Sequence, residues 1–475
     1  MKRKITTLSL LLLSACAVGP DYQRPAVEVP PAYKENDAAL GWKPAEPRDG
    51  APRGDWWRVF GDAQLDALMK QVDVSNQTIA AAEAQLRVSA ALADQSRAGY
   101  WPTVSGSVTR TESQPSRTTG PVIGQTTTRR IIDSLPVNFS WEADLWGRIR
   151  RQVEAGEANV LASASDLVNA RLSMQASLAQ NYFTLRALDS QKRLLDESVA
   201  AYAKNLELTR NRYASGVVSR VDVAQAETQL NGARAQAVDV GVQRAQLEHA
   251  IAVLLGVPAP AFALAPGVLA AAPPPVPATG LPAELLERRP DVAAAERRVA
   301  AANAQIGVAK AAFFPAATLT GTYGYQTANP SLWFNAPSNF WSLGIGLAIT
   351  LFDAGRRSAV SDQAVAAYDQ TVAQYRGTVL QAFADVEDNL AALRILEAEA
   401  AIQAETVRAA QQSLDITQNQ YRAGIASFLQ VAITQTALLN AQTAALGIQG
   451  RRMVASVLLV KALGGGWDEK KEEKK

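Results

Sequence analysis

The chain is nearly devoid of thiols and imidazoles, with one Cys and one His in 475 residues. A disulfide framework and a Cys/His zinc cluster are therefore excluded, as is a cysteine–histidine dyad unless Cys16 itself takes part. Neither sign of charge is in excess: 47 Lys and Arg against 45 Asp and Glu leave +2. No basic stripe alternates with aromatic residues, so the footprint of a nucleic-acid binder is missing. Proline is absent from residues 137–257 and again after Pro337, while seven of the 23 lie in 20–52 and nine in 258–290. Proline breaks helices, so the proline-free blocks predict two long helical arrays. The proline-rich stretches predict an extended N-terminal tether over 18–52 and a Pro/Ala linker of polyproline character over 259–278. What remains, 48% hydrophobic and 19% charged, is ample for a large core.

The amino terminus reads as an address. Lys2, Arg3 and Lys4 precede an apolar run over residues 5–13 and then Leu13-Ser14-Ala15-Cys16, the three regions of a secretory signal peptide. The run is too short to span a bilayer as a mature helix. Its end resembles the lipobox of bacterial lipoproteins, which implies cleavage before Cys16 and lipidation of its thiol. Ala17 stands where an Asp retains such lipoproteins in the inner membrane, so the outer membrane is the expected destination, with several acyl chains as a firm anchor.

A search for internal similarity organises the rest. A shift of 208 positions lays Gly147-Arg148 on Gly355-Arg356, Tyr213 on Tyr421, Gly216 on Gly424, Ser219 on Ser427 and Leu255-Gly256 on Leu463-Gly464. Upstream, Trp101-Pro102 falls on Phe314-Pro315 at a shift of 213. The five-residue difference belongs between Pro102 and Gly147, where a loop absorbs an insertion cheaply. The chain is an internal duplication, each half reading helix, hairpin, long helix, tight turn, helix.

The non-helical parts alternate with period two. Trp341, Leu343, Ile345, Leu347, Ile349 and Leu351 share one face against Ser342, Gly344, Gly346, Ala348 and Thr350. Leu135, Val137, Phe139 and Trp141 alternate in the same way, as do Leu319, Tyr323 and Tyr325, and the weakest strand covers 103–110. One apolar face, small or polar residues opposite, and aromatics near the ends suit a transmembrane barrel, although a soluble half-buried sheet alternates too. Four strands cannot close a barrel, so strands that cross a membrane require an oligomer.

The helices follow a coiled-coil period. Val365, Val372, Val379, Val386 and Leu393 recur every seven residues, with Tyr368, Tyr375, Phe383 and Leu390 between them. At 1.5 Å per residue each long helix would reach roughly 100 Å and each returning helix about 60 Å, too long for a compact globule.

These residues carry a resemblance. The lipobox with Val18-Gly19-Pro20-Asp21-Tyr22, the Asp55-Trp56-Trp57 segment, Asp144-Leu145-Trp146-Gly147-Arg148, Leu351-Phe352-Asp353-Ala354-Gly355-Arg356-Arg357, Tyr421-Arg422-Ala423-Gly424 and the closing Gly464-Gly465-Gly466-Trp467 together resemble the outer-membrane factors of tripartite efflux systems, the TolC/OprM class and its NodT-type lipoprotein branch. The resemblance implies a mixed, mostly α fold. It implies a homotrimer whose four strands per chain make a transmembrane β-barrel and whose long helices make a periplasmic α-barrel. It also implies a passive duct in the outer membrane of a Gram-negative bacterium, fed by a periplasmic adaptor (membrane fusion) protein and an inner-membrane transporter of the RND type. No cofactor, metal or catalysed reaction is expected. The expected organisation is a signal peptide over 1–15, a lipidated tether over 16–60, a first repeat over 61–257 with its hairpin near 103–144, a linker over 258–282, a second repeat over 283–467 with its hairpin near 316–352, and a charged tail over 468–475.

In that family the two turns farthest from the membrane narrow the tunnel and meet the adaptor. Carried onto this chain they are 213–219 and 421–427, with Tyr213, Gly216, Ser219, Tyr421, Gly424 and Ser427 as tip and docking residues. Gly supplies a left-handed turn and Ser caps the following helix. By the same resemblance Tyr421, Arg422 and Leu429 are gate candidates. Where relatives often carry acids just beyond, this chain has Gln430 and Ile433, so Asp222 and Glu227 become the substitute partners for Arg422. His249 has no Ser or Asp at an informative spacing and reads as bland. The three glycines from Gly464 follow a helix and read as its stop rather than a phosphate cradle. A type I protein-secretion duct and a non-conducting coiled-coil lipoprotein are the alternatives.

Overall fold

The computed structural model describes residues 18–27, 29–30, 33–34, 54–114, 116, 129–269 and 288–465. Cys16, Trp467 and the charged tail lie outside them. The helices are α1 (Ala63–Ser75), α2 (Gln77–Ala98), α3 (Arg148–Ala214), α4 (Arg220–Leu254), α5 (Pro290–Ala311), α6 (Arg356–Arg422) and α7 (Phe428–Ala462). The strands are β1 (Thr103–Gly106), β2 (Thr109–Ser113), β3 (Arg130–Ala143), β4 (Ala316–Thr327) and β5 (Asn339–Ala348).

The duplication is carried through to the helix ends. Both long helices have 67 residues and both returning helices 35, each pair related by the same shift of 208. The short helices α2 and α5 have 22 residues each and are related by the shift of 213. The chain divides into two compact units, and the division falls inside α2, α3, α5 and α6. One unit comprises residues 1–26, 86–163 and 295–375, the other 27–85, 164–294 and 376–475.

The first unit holds one antiparallel sheet in which β4 lies between β3 and β5. Both β1 and β2 pair with β3, and their register is unbroken: Gly106 faces Val137 and Thr109 faces Ser134, three residues on along each strand. They are one interrupted strand, so the sheet has four strand positions and the first reaches Ser113 rather than ending at Arg110. β5 stops at Ala348, short of the expected Leu351. Beyond it the backbone turns through positive φ at Ala354 and Gly355, and the Asp353 carboxylate accepts from the Gly355 and Arg357 amides to start α6. Asp144 starts α3 likewise, accepting from the Ile149 and Arg150 amides at 2.9 Å each.

The sheet's apolar face is uncovered. Trp341, Leu343, Ile345, Leu347 and Tyr323 are all exposed, Ile345 to 82%. A soluble half-buried sheet would bury this face. The opposite face carries Thr318, Thr320 and Thr322 facing Gly346, Gly344 and Ser342 across β5, and Thr322 donates to the Asn138 side chain at 3.0 Å. Among the described residues neither the outer edge of β5 nor that of β1 and β2 is paired.

The second unit is built on a core of Leu65, Met69, Val72, Leu178, Leu185, Ile251, Leu255 and Met453, closed by Trp56 and Trp57. The Asp-Trp-Trp segment is a lock on this core. Asp62 caps α1 by accepting from Gln64 and Leu65 and also accepts from the Tyr182 hydroxyl at 2.6 Å. Trp56 donates to Gln175 and Trp57 to Asp66; bonds from Lys70 and Trp57 bring the Asp66 carboxyl down to about 2. The heptad seam of α6 is buried from Tyr375 through Val379, Val386, Leu390 and Leu393, while Val365 near its start is exposed.

The described part of the Pro/Ala linker is not a free polyproline spacer. Residues Ala259–Ala261 form a 3-10 turn, and Leu264 and Leu269 are buried. The reason is a buried charge cluster that supplies what this backbone lacks. Asp189 pairs with both Arg186 and Arg244. Arg186 donates to the Ala265 carbonyl, Arg244 to that of Leu264, and Asp189 accepts from the Gly267 amide. A Cβ on Gly267 would stand 2.8 Å from the Arg186 guanidinium, so a larger residue there would have to displace that guanidinium from its bonds. The tether is likewise docked over residues 18–22, through contacts described below.

Candidate functional site

The two helix turns at 213–219 and 421–427 lie in the second unit, and local chemistry shapes both alike. At the end of α3 the Val217 amide reaches the Arg212 carbonyl and the Gly216 amide that of Tyr213; at the end of α6, Ile425 reaches Gln420 and Gly424 reaches Tyr421. These are Schellman stops, and they put Gly216 at φ +74 and Gly424 at φ +78. The next helix then opens with a reciprocal cap. Ser219 and Asp222 form a capping box on α4, and the Ser427 amide donates to the Gln430 side chain on α7 at 3.1 Å.

Asp222 and Gln430 are the same position in the two repeats. The Asp222 carboxylate is committed to Ser219, accepting from its amide and its hydroxyl at 3.0 Å each. Glu227 is committed to Arg210 at 2.8 Å, and that bond holds its carboxyl below the usual range. Arg422 is exposed, bonded to Asn419 on its own helix, and has no carboxylate partner among the described residues.

Equivalent tyrosines have different fates. Tyr213 is 45% exposed and Tyr421 only 6%. Tyr421 sits in an apolar cluster with Leu206, Val223, Leu230, Leu414, Phe428 and Val431, edge-on to Phe428. Arg212 of α3 lies over its ring, 4.6 Å from the centroid, and donates to its backbone carbonyl at 3.0 Å. One guanidinium thus ties the end of the first hairpin to the turn of the second. Sequence reasoning passed over Arg212; the signal available was that its repeat partner is Gln420, one of several positions, Ala214 against Arg422 among them, at which the two turns differ. Around the turns Val217, Val221, Ile425, Leu429 and Ile433 are exposed, a set of apolar side chains at a polar helix end.

The remaining motif residues have structural places. The Gly464 and Gly465 amides close α7 on the Lys461 and Val460 carbonyls, and His249 lies exposed on α4. No helix among the described residues is long and apolar enough to cross a membrane.

Long duplicated helices, an antiparallel sheet with an uncovered apolar face, and matched hairpin turns are the features to set beside known proteins. The profile of the family described as outer membrane efflux protein matches residues 68–257 and 281–465, once for each repeat, and the chain belongs to that family. It is 32% identical to the probable efflux pump outer membrane protein TtgC of Pseudomonas putida, across 99% of this chain and 97% of that protein. It is 28% identical to the cation efflux system protein CusC of Escherichia coli, across 97% of each. The solved outer-membrane channel OprN superposes with a TM-score of 0.87 at 28% identity, covering 95% of this chain and all of that one. Members of this family are outer-membrane channels of efflux pumps rather than enzymes, and transport in the outer membrane is the function of this chain.

Proposed function

We propose that three copies of this chain close one barrel and one tunnel, forming a passive exit duct through which a tripartite pump expels small molecules. The observation that carries the trimer is the sheet: four strand positions, two unpaired edges and an exposed apolar face. In lipid each unpaired backbone group costs several kcal/mol, and pairing β5 of one copy with β1 and β2 of the next removes both edges without a new element. Three chains at four strands each would make a twelve-stranded barrel, as the family resemblance implies. The long helices then stand in the periplasm, and Cys16 carries the lipid that holds the amino terminus in the outer membrane.

The turns at 213–219 and 421–427 are the docking tip. Their exposed Val217, Val221, Ile425 and Leu429 offer apolar anchors to helical hairpins of a periplasmic adaptor, which links the duct to an inner-membrane transporter of the RND type. Within the tip, Leu429 and Arg422 line the closed end, and the Arg212 contact to Tyr421 holds the two hairpins together in place of a carboxylate latch. The names of relatives, which include toluene, antibiotic and cation efflux proteins, favour small-molecule cargo over a secreted polypeptide. The deciding measurement is the protein mass of the native particle in mild detergent by light scattering. Three chains are expected, and a monomer would leave the sheet edges open and sink the duct.

A further inference from the structure

The five residues that follow Ala17 are fastened one by one to the first unit. The Val18 amide donates to the Trp146 carbonyl at 3.0 Å. Gly19, at φ +107, lies flat on Gly307 of α5, where a Cβ would stand 2.5 Å from the Gly307 Cα. A Cβ on Gly307 in turn would stand 3.0 Å from the Val18 carbonyl oxygen and 2.7 Å from Arg151 Cγ. The Pro20 carbonyl accepts from the buried Asn303 at 3.0 Å. Asp21 pairs at 2.7 Å with Arg151, whose side chain is only 7% exposed. The Tyr22 hydroxyl donates to the Glu296 carboxylate, and burial followed by that carboxylate pushes the phenol well above its ordinary range. A spacer that merely paid out chain length would need none of these partners.

The place of the attachment is as specific as its chemistry. Trp146 lies between the end of β3 and the start of α3, and its ring stacks at 4.9 Å on Phe314, between α5 and β4. This is the end of the sheet where strands give way to helices. The same level carries Tyr100, Trp101, Leu145, Phe313 and Phe314, all exposed, a collar of the kind that marks a membrane–water interface. Cys16 is two residues from Val18, at most ~7 Å of extended chain. Acyl chains on Cys16 would therefore leave the protein at the collar itself.

We infer that residues 18–22 and their cradle of Trp146, Arg151, Glu296, Asn303 and Gly307 form an intramolecular docking site that holds the lipidated terminus in register with the aromatic collar, so that the acyl anchor and the barrel wall enter one leaflet at one depth. This rests on the reading of Cys16 as lipidated and of the sheet as membrane-spanning.

The test uses the full chain in lipid nanodiscs and follows amide hydrogen exchange of peptides covering residues 17–26. In the wild type the Val18 amide, which donates to Trp146, should exchange at least tenfold more slowly than the unprotected rate. Gly19→Val, which cannot seat on Gly307, should abolish that protection while palmitate labelling of the protein persists, and its yield of folded particles should fall several-fold. Tyr22→Phe removes one hydroxyl and cannot prevent folding; it should lower the protection partially. Unprotected exchange in the wild type, or full protection in both variants, overturns the clip. Absence of palmitate label from a protein whose clip is protected would instead sink the lipid reading, leaving the clip as a purely structural lock.

Discussion

Arg212 is the contact whose removal should speak most directly to gating. Arg212→Gln installs the residue that the second repeat carries at the matching position, Gln420, and so changes the lock without leaving the repertoire of this turn. Two interactions are lost: the guanidinium over the Tyr421 ring at 4.6 Å and its bond to the Tyr421 carbonyl at 3.0 Å. At a half-buried site the first contributes about 1 kcal/mol. A bond from a charged donor contributes ~1.5 kcal/mol, less where water competes. Together they favour the joined hairpins by about 2 kcal/mol, which at 1.4 kcal/mol per decade is a shift of about 30-fold toward separation in each chain. The reasoning is checked by stationary conductance in planar bilayers, with thermal unfolding alongside to show that the particle survives. Arg212→Gln should raise the open population markedly, Arg212→Lys should lie between, and Arg210→Gln, whose partner Glu227 lies on the same hairpin, should change it little. An Arg212→Gln duct that stays as closed as the wild type, or one matched by Arg210→Gln, refutes the lock.

Two further outcomes follow from the same end of the molecule. Gly424→Ala places a Cβ in open space, with no heavy atom within 4 Å, yet at φ +78, so it should cost ~1–2 kcal/mol from the backbone alone. Gly377→Ala, in the middle of α6 and equally unobstructed, should stabilise by up to ~1 kcal/mol; calorimetric melting that moves both variants in the same direction would contradict this. The Glu227 carboxyl is held low, first by its bond from Arg210. Its contribution is therefore complete above the ordinary carboxylate pKa and is lost as pH falls through the lowered value. Melting curves of wild type and Glu227→Gln should differ at pH 7 and converge once the pH has fallen below that lowered value, and a gap that persists in stronger acid would assign Glu227 a role other than this ion pair.

Much of this architecture is a property of the sequence alone, because its determinants are local and repeated. Paired helices end at matching residues since each end is written by a Gly that accepts positive φ and a Ser with a partner three residues on, and these recur at a fixed shift. The four strand positions, their apolar face and the family itself follow from period-two alternation and motif order, which need no knowledge of neighbours. What the tertiary structure decided is everything that depends on which copy of a repeated motif meets which surface. Tyr213 and Tyr421 occupy the same motif, yet only Tyr421 is roofed by Arg212 and backed by Phe428, since the two hairpins offer each other different faces. Asp222 looks like a free acid in the sequence and is a cap in space. The tether and the linker read as spacers by composition, because proline and alanine announce no partners. Their backbones are nevertheless claimed by Arg151 and Asn303 in one case and by Arg186, Asp189 and Arg244 in the other, residues more than 60 positions away in all but one of these contacts. A hydrogen bond closed across such distances leaves no local trace, so only folding could reveal it.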